Sequence, residues 1–186
     1  MRREIRITGS GGQGIITAGY LLGKAASIYD GKISTQIQSY GPEARGGASK
    51  TEIIISDEDI YYPYIQMADI FISLSQEAYE RYRRDVKKDA AIFIDPTFIR
   101  PEKNGCYSIP ATEEAIKMGS QIMANIIMLG AVAQITGVVS IESLQKSIRS
   151  TINERFLEMN INALLKGCEL GKRALEENTI KATASD

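Results

Sequence analysis

Glu4-Ile5-Arg6-Ile7-Thr8, then Gly9-Ser10-Gly11-Gly12-Gln13-Gly14, then Ile15-Ile16-Thr17-Ala18 is the stretch on which the fold turns. A short apolar alternation predicts a strand, and the pattern after the glycines predicts a helix. The glycines between them form G-x-G-x-x-G, the signature of a tight strand-to-helix turn. Each has an expected task. Gly9 permits the turn, Gly11 lets backbone approach an anion, and Gly14 lets the helix pack close to the strand. The N–H groups at the helix start suit a phosphate or a carboxylate.

Working outward, the first helix is expected over 15–29, with Ile16, Leu21, Leu22 and Ala25 available to pack and Gly31 as its left-handed cap. Strands are predicted at 33–38, 50–56, 68–74 and 90–94, with a sixth at 105–109. The run Ile53-Ile54-Ile55 predicts burial on both faces. Ser75 is expected to cap a helix over 76–86, and Thr112 another, with Glu113 and Glu114 in its first turn. Residues 122–135 are apolar almost all round and predict a buried helix ended by Gly137. An amphipathic helix follows at 140–149. A last helix is expected over 153–175, with Phe156, Met159, Ala163, Gly167 and Leu170 recurring along it.

This alternation predicts one α/β domain over 1–177 and a polar tail over 178–186. The expected architecture is a single doubly wound, mostly parallel sheet with helices on both faces and a helical C-terminal part.

Composition narrows the function. The chain has 186 residues and a formal net charge of −1, so no general field draws it to nucleic acid or to an anionic membrane. No apolar run reaches the roughly 20 residues that span a bilayer. The first strand begins almost at Met1, leaving no room for a signal peptide, so the cytoplasm is expected. Cys106 and Cys168 stand alone, outside any CxxC, and there is no histidine. Spacing therefore offers no metal or iron–sulfur site, and the commonest general base is missing.

The glycine turn keeps three readings open: a dinucleotide site, a purely structural turn, or a site for another anion or a partner chain. A dinucleotide site wants an acid about 20 residues on, at the end of the second strand. That region reads Ser34-Thr35-Gln36-Ile37-Gln38-Ser39, without an acid, and Asp30 lies at the strand's other end.

Tyr40-Gly41-Pro42-Glu43-Ala44-Arg45-Gly46-Gly47 follows the second strand and is expected at the same sheet edge as the glycine turn. It presents one arginine on a short arch, suited to a bidentate grip on carboxylate or phosphate; pairing of Arg45 with Glu43 in a surface turn is the plainer alternative. Asn125, inside an apolar helix, either contacts a ligand or the glycine turn, or fixes core packing. Asn160 has the same two readings. Tyr61, Tyr62 and Tyr64 form either a partner-facing patch or a lid over the core. Arg81, Arg83, Arg84, Lys87 and Lys88 read as a solvated basic helix end or a docking patch.

Together these segments resemble the gamma subunit, or gamma domain, of the 2-oxoacid:ferredoxin oxidoreductase family. The resemblance rests on Gly9 to Gly14, on Tyr40-Gly41-Pro42-Glu43 with Arg45-Gly46-Gly47, and on Ile53-Ile54-Ile55-Ser56-Asp57 leading to Ile60 and Ala68-Asp69. Asn125 with Leu129-Gly130-Ala131, and Asn160 with Ala163 and Gly167, extend it over nearly the whole chain. It implies a complex that decarboxylates a 2-oxoacid, forms an acyl-coenzyme A and reduces ferredoxin. Thiamine diphosphate and iron–sulfur clusters are then expected on alpha, beta and delta partner subunits, and the isolated chain is expected to be inactive. The second loop is similar to the 2-oxoglutarate group more than to the pyruvate group. Coenzyme A is the first-choice ligand of Gly9, Ser10, Gly11, Gly12, Gln13, Gly14, Tyr40, Arg45, Gly46 and Asn125, with another anion or a carboxylate from a partner chain as the alternative. Two other expectations compete: a nicotinamide-dependent oxidoreductase, and a scaffold without a ligand site.

Overall fold

The computed structural model describes residues 1–39, 47–101 and 105–183. Its sheet is built from β1 (Arg2–Ser10), β2 (Ile33–Gln38), β3 (Ala48–Ser56), β4 (Ala68–Ser73), β5 (Val86–Ile94) and β6 (Tyr107–Ser108). The helices are α1 (Ile15–Lys24), α2 (Gln76–Tyr82), α3 (Ala111–Lys117), α4 (Ala124–Thr136), α5 (Ile141–Arg149) and α6 (Glu154–Thr183). A π-helical turn, Ala25–Tyr29, extends α1, and a 3-10 turn, Gln121–Met123, leads into α4.

The strand order is β2-β3-β1-β4-β5-β6. β3 pairs antiparallel with both β1 and β2, whereas β1, β4, β5 and β6 pair parallel. The sheet is therefore mixed but mostly parallel in sense, as expected. What the strand pattern could not reveal is that β3 inserts between β1 and β2. Ser10 and Ala48 face each other at the end of that insertion, and Gly9 faces Ser49.

Period-two alternation divides the sheet's side chains between two faces. Ile5, Ile7, Ile53, Ile55, Ile70, Ile72 and Phe93 enter the main core with α1, α4, α5 and α6. Phe71 and Ile94 point the other way, onto Tyr79 and Tyr82 of α2, and Ile54 packs with Ile65 and Ala68. Helices thus lie on both faces, but unequally. Ile53, Ile54 and Ile55 are fully buried, each worth roughly 1.5–3 kcal/mol of transfer free energy.

The α2 face also buries an ion pair. Arg6 Nε donates to Glu52 Oε1 at 2.8 Å, and Arg6 Nη1 donates to the Asp85 carbonyl at 2.8 Å. Lys50 Nζ stands 3.2 Å from the same Glu52 oxygen. A buried pair is tolerated when its remaining donors are satisfied, as here.

Several element expectations need correction. Val86 opens β5 instead of ending α2, and the register of β5 against β4 shifts between Ala68 and Ile70. Lys87 and Lys88 therefore lie on a strand, and Lys87 bonds Asp69 at 3.0 Å. Thr112 sits inside α3, whose N-cap is Pro110. Ile15 is buried, while Ile16, expected to pack, is 37% exposed. Phe156 and Met159 are exposed, and α6 continues past Leu175 to Thr183. The tyrosines at 61, 62 and 64 are exposed and form no lid.

Candidate functional site

Parallel strands leave their carboxyl ends on one side, and each here feeds a helix or turn on that side. β1 runs into residues 11–14 and α1, β4 into Leu74-Ser75 and α2, and β6 into Pro110 and α3. The helix starts differ in what meets them. Ser75 caps α2, its Oγ accepting from Ala78 N at 3.4 Å. Asp95 serves α3: its carboxylate, fully buried, accepts from Thr112 N at 2.7 Å and from Thr97 N at 3.0 Å. α1 begins at Gly14 without a side-chain cap and without an acid in its first turn.

The turn's internal geometry reassigns the glycine roles. Positive φ falls at Gly12 (87°) and Gly14 (69°). Gly9 lies within β1, where a Cβ would meet Ile15 Cδ1 at 2.7 Å. Its absence lets α1 fold back tightly, so Gly9 performs the packing task expected of Gly14. Gly14 has the left-handed backbone that disfavours any side chain, and the Asn125 amide fills the space beside it.

Two amides hold this turn. Gln13 Oε1 accepts from Ser10 N at 2.7 Å, and Gln13 Nε2 donates to the Leu74 carbonyl at 2.9 Å, tying the turn to the end of β4. Asn125 Nδ2 donates to the Gly14 carbonyl at 3.0 Å from the first turn of α4. Of the readings open for Asn125, the structure supports contact with the glycine turn. Asn160 Nδ2 bonds the Phe156 carbonyl of its own helix at 2.8 Å, a local structural role.

A cleft of about 300 Å³ opens beside the turn. Gly11, Gly12 and Gln13 form one wall; Thr112, Gln121, Ile122 and Ala124 form the other. The second wall was not legible as a site. Ile122 reads as the start of a buried apolar run, yet it is 62% exposed, because the 3-10 turn holds it outside α4.

Tyr40, Arg45 and Gly46 lie outside the described residues. The ends of their loop are visible: β2 stops at Gln38 and β3 starts at Ala48, where Ser49 Oγ donates to the Gly9 carbonyl at 3.2 Å. That loop therefore leaves and rejoins the sheet at the edge that carries the glycine turn.

The dinucleotide reading loses its geometry. In such sites the ribose-binding acid comes from the strand next to the first. Here β3 occupies that place, and β2, one strand further out, ends without an acid.

Among the described residues, no group of three His, Cys, Asp or Glu is arranged to hold a metal ion. Burial pushes the Cys106 and Cys168 thiols up from their ordinary range. No helix of the described residues is long and apolar enough to cross a membrane.

The pyruvate ferredoxin/flavodoxin oxidoreductase family matches residues 4–170. A solved gamma subunit of a keto/oxoacid ferredoxin oxidoreductase from Geobacter sulfurreducens is similar at TM-score 0.84 and 39% identity, over 94% of this chain and 98% of that one. The chain belongs to this family, and the expected identification as a gamma subunit of a 2-oxoacid:ferredoxin oxidoreductase holds. The 2-oxoglutarate synthase subunit KorC of Methanocaldococcus jannaschii is 46% identical over 180 residues, covering 92% of this chain and 95% of its own. A longer chain of the 2-oxoglutarate:ferredoxin oxidoreductase from Magnetococcus marinus, solved with 2-oxoglutarate, coenzyme A and succinyl-CoA bound, is similar at TM-score 0.84 and 26% identity. The likeness covers 92% of this chain and 31% of that one. Complexes of the family use thiamine diphosphate, iron–sulfur clusters and coenzyme A.

Proposed function

We propose that this gamma subunit serves the coenzyme A-dependent oxidative decarboxylation of 2-oxoglutarate, and that its cleft holds the pyrophosphate of coenzyme A. One observation carries the site: α1 starts uncapped beside Gly11, Gly12 and Gln13, while α2 and α3 are already met by Ser75 and Asp95. An anion gains most at the helix start that the protein itself leaves without a cap. Gly9, Ser10 and Gly14 shape the turn, Gln13 and Asn125 hold it, and the sequence alone assigns Arg45, with Tyr40 and Gly46, to the same ligand. The identity with the KorC subunit and the Tyr40–Gly41–Pro42 form of that loop support 2-oxoglutarate as the oxoacid. The chemistry on the oxoacid belongs to thiamine diphosphate and clusters carried by alpha, beta and delta subunits in the cytoplasm, with ferredoxin as electron acceptor.

Arg45→Ala in the assembled complex tests the site. Losing a charge-assisted hydrogen bond of about 1.5–3 kcal/mol raises the apparent KM for coenzyme A by about 10- to 150-fold, with the KM for 2-oxoglutarate unchanged. A variant that fails to assemble, yet shows normal coenzyme A kinetics in whatever complex survives, makes the loop a docking surface instead. A variant unchanged in both respects returns Arg45 to a solvated turn.

A further inference from the structure

We propose that Thr112 is the second-wall contact of the bound diphosphate, its Oγ1 donating to an oxygen of the anion that the glycine turn holds. The inference rests on the reading of the cleft as the seat of the coenzyme A pyrophosphate.

A buried hydroxyl that bonds to nothing costs free energy, so folded proteins pair nearly all of them. The buried hydroxyls here follow that rule in turn. Thr8 donates to the Ile72 carbonyl at 3.0 Å, Thr51 to the Ile37 carbonyl at 3.2 Å, Ser73 to the Ser75 carbonyl at 3.1 Å and Ser147 to the Leu21 carbonyl at 2.8 Å. Ser143 donates to Asp30, and Ser56 and Ser75 accept backbone N–H groups. Thr112 is 1% exposed, yet its hydroxyl makes no hydrogen bond among the described residues. Thr35 Oγ1 also lacks a partner, but it is sealed from solvent on β2, away from the cleft walls; Thr112 Oγ1 is not sealed in this way. The surface that Thr112 keeps lies in the cleft, on the wall opposite Gly11, Gly12 and Gln13.

The hydroxyl is also held in place. Thr112 N donates to the fully buried Asp95 carboxylate at 2.7 Å, and Asp95 takes a second bond from Thr97 N at 3.0 Å. A β-branched side chain on a backbone pinned at its own N–H has little rotamer freedom, so the donor is preorganised. The described walls of the cleft carry neither a cation nor a carboxylate, so nothing in them answers this hydroxyl or repels an anion. The uncapped start of α1 presents its N–H groups from the other wall. The two sets of donors converge on one oxyanion, where a hydrogen bond is stronger than between neutral groups.

Thr112→Val, which keeps the shape and removes the donor, is compared in the assembled complex with Thr112→Ser and Arg45→Ala. Thr112→Val is expected to raise the apparent KM for coenzyme A and the inhibition constant of desulfo-coenzyme A by about tenfold or more, with kcat and the KM for 2-oxoglutarate unchanged. Thr112→Ser, which keeps the hydroxyl, restores both constants. Because the hydroxyl has no partner in the protein, Thr112→Val does not lower the melting temperature of the ligand-free complex. A lower melting temperature, or coenzyme A constants that Thr112→Val leaves unchanged while Arg45→Ala raises them, would overturn the role of Thr112 and leave the reading of the cleft standing. Constants unchanged in both variants would remove that reading as well.

Discussion

Asn125 is the one polar residue that α4 buries, at 6% exposure, and its amide reaches across to the Gly14 carbonyl. Its presence in an apolar run was visible in the sequence, but its partner was not, because 111 residues separate the two. Removing it with Asn125→Ala deletes one net hydrogen bond, about 0.5–1.5 kcal/mol, measurable by urea unfolding. If Asn125 also sets the turn's shape, the same variant weakens coenzyme A in the assembled complex. Asp30 offers a pH test of the opposite end of the helix layer. Burial pushes its carboxyl up, but hydrogen bonds from Ser143 and Ser140 outweigh that and hold it below the usual 3.8. A carboxyl lowered on folding stabilises the protein above its unfolded pKa, and that contribution fades as pH falls through the folded value. The wild type therefore loses stability on acidification below about pH 4 in part through Asp30. In Asp30→Asn that share of the acid limb disappears from melting curves taken across this range.

At the scale of elements, α4 and α6 touch through glycines. A Cβ on Gly167 would fall 2.8 Å from the Ile127 carbonyl carbon, and one on Gly130 would press on the Leu164 backbone. Gly167→Ala therefore overpacks a backbone contact, with an expected cost of about 1–3 kcal/mol and a lower melting temperature. Gly130 and Gly167 could be marked in the sequence; that they meet each other could not. The strands show the same division. Ile53, Ile54 and Ile55 announced a buried strand because local pattern reports burial. β5 hid its first half because Val86-Lys87-Lys88-Asp89 reads as a polar helix end; Lys87 is tolerated on a strand there because Asp69 and Glu4 lie across from it. Ile122 misled for a related reason. Hydropathy predicts burial, and an apolar residue at the lip of a cleft breaks that rule.

For the whole molecule, the α/β architecture followed from the alternation of strand and helix patterns, while the position of β3 did not, since pairing partners far apart leave no local trace. That one insertion separates this protein from a dinucleotide-binding fold despite its G-x-G-x-x-G. The chain is one member of an oxidoreductase complex, and we propose that it contributes a ligand-holding edge without the reacting centres. The direct measurement is turnover of 2-oxoglutarate with coenzyme A and a viologen dye, by the purified chain alone and by the complex obtained when it is co-expressed with the other subunits of its oxidoreductase. No turnover by the chain alone and coenzyme A-dependent dye reduction by the complex are the expected results. Dye reduction by the lone chain, or a chain that captures none of those subunits, would contradict these expectations.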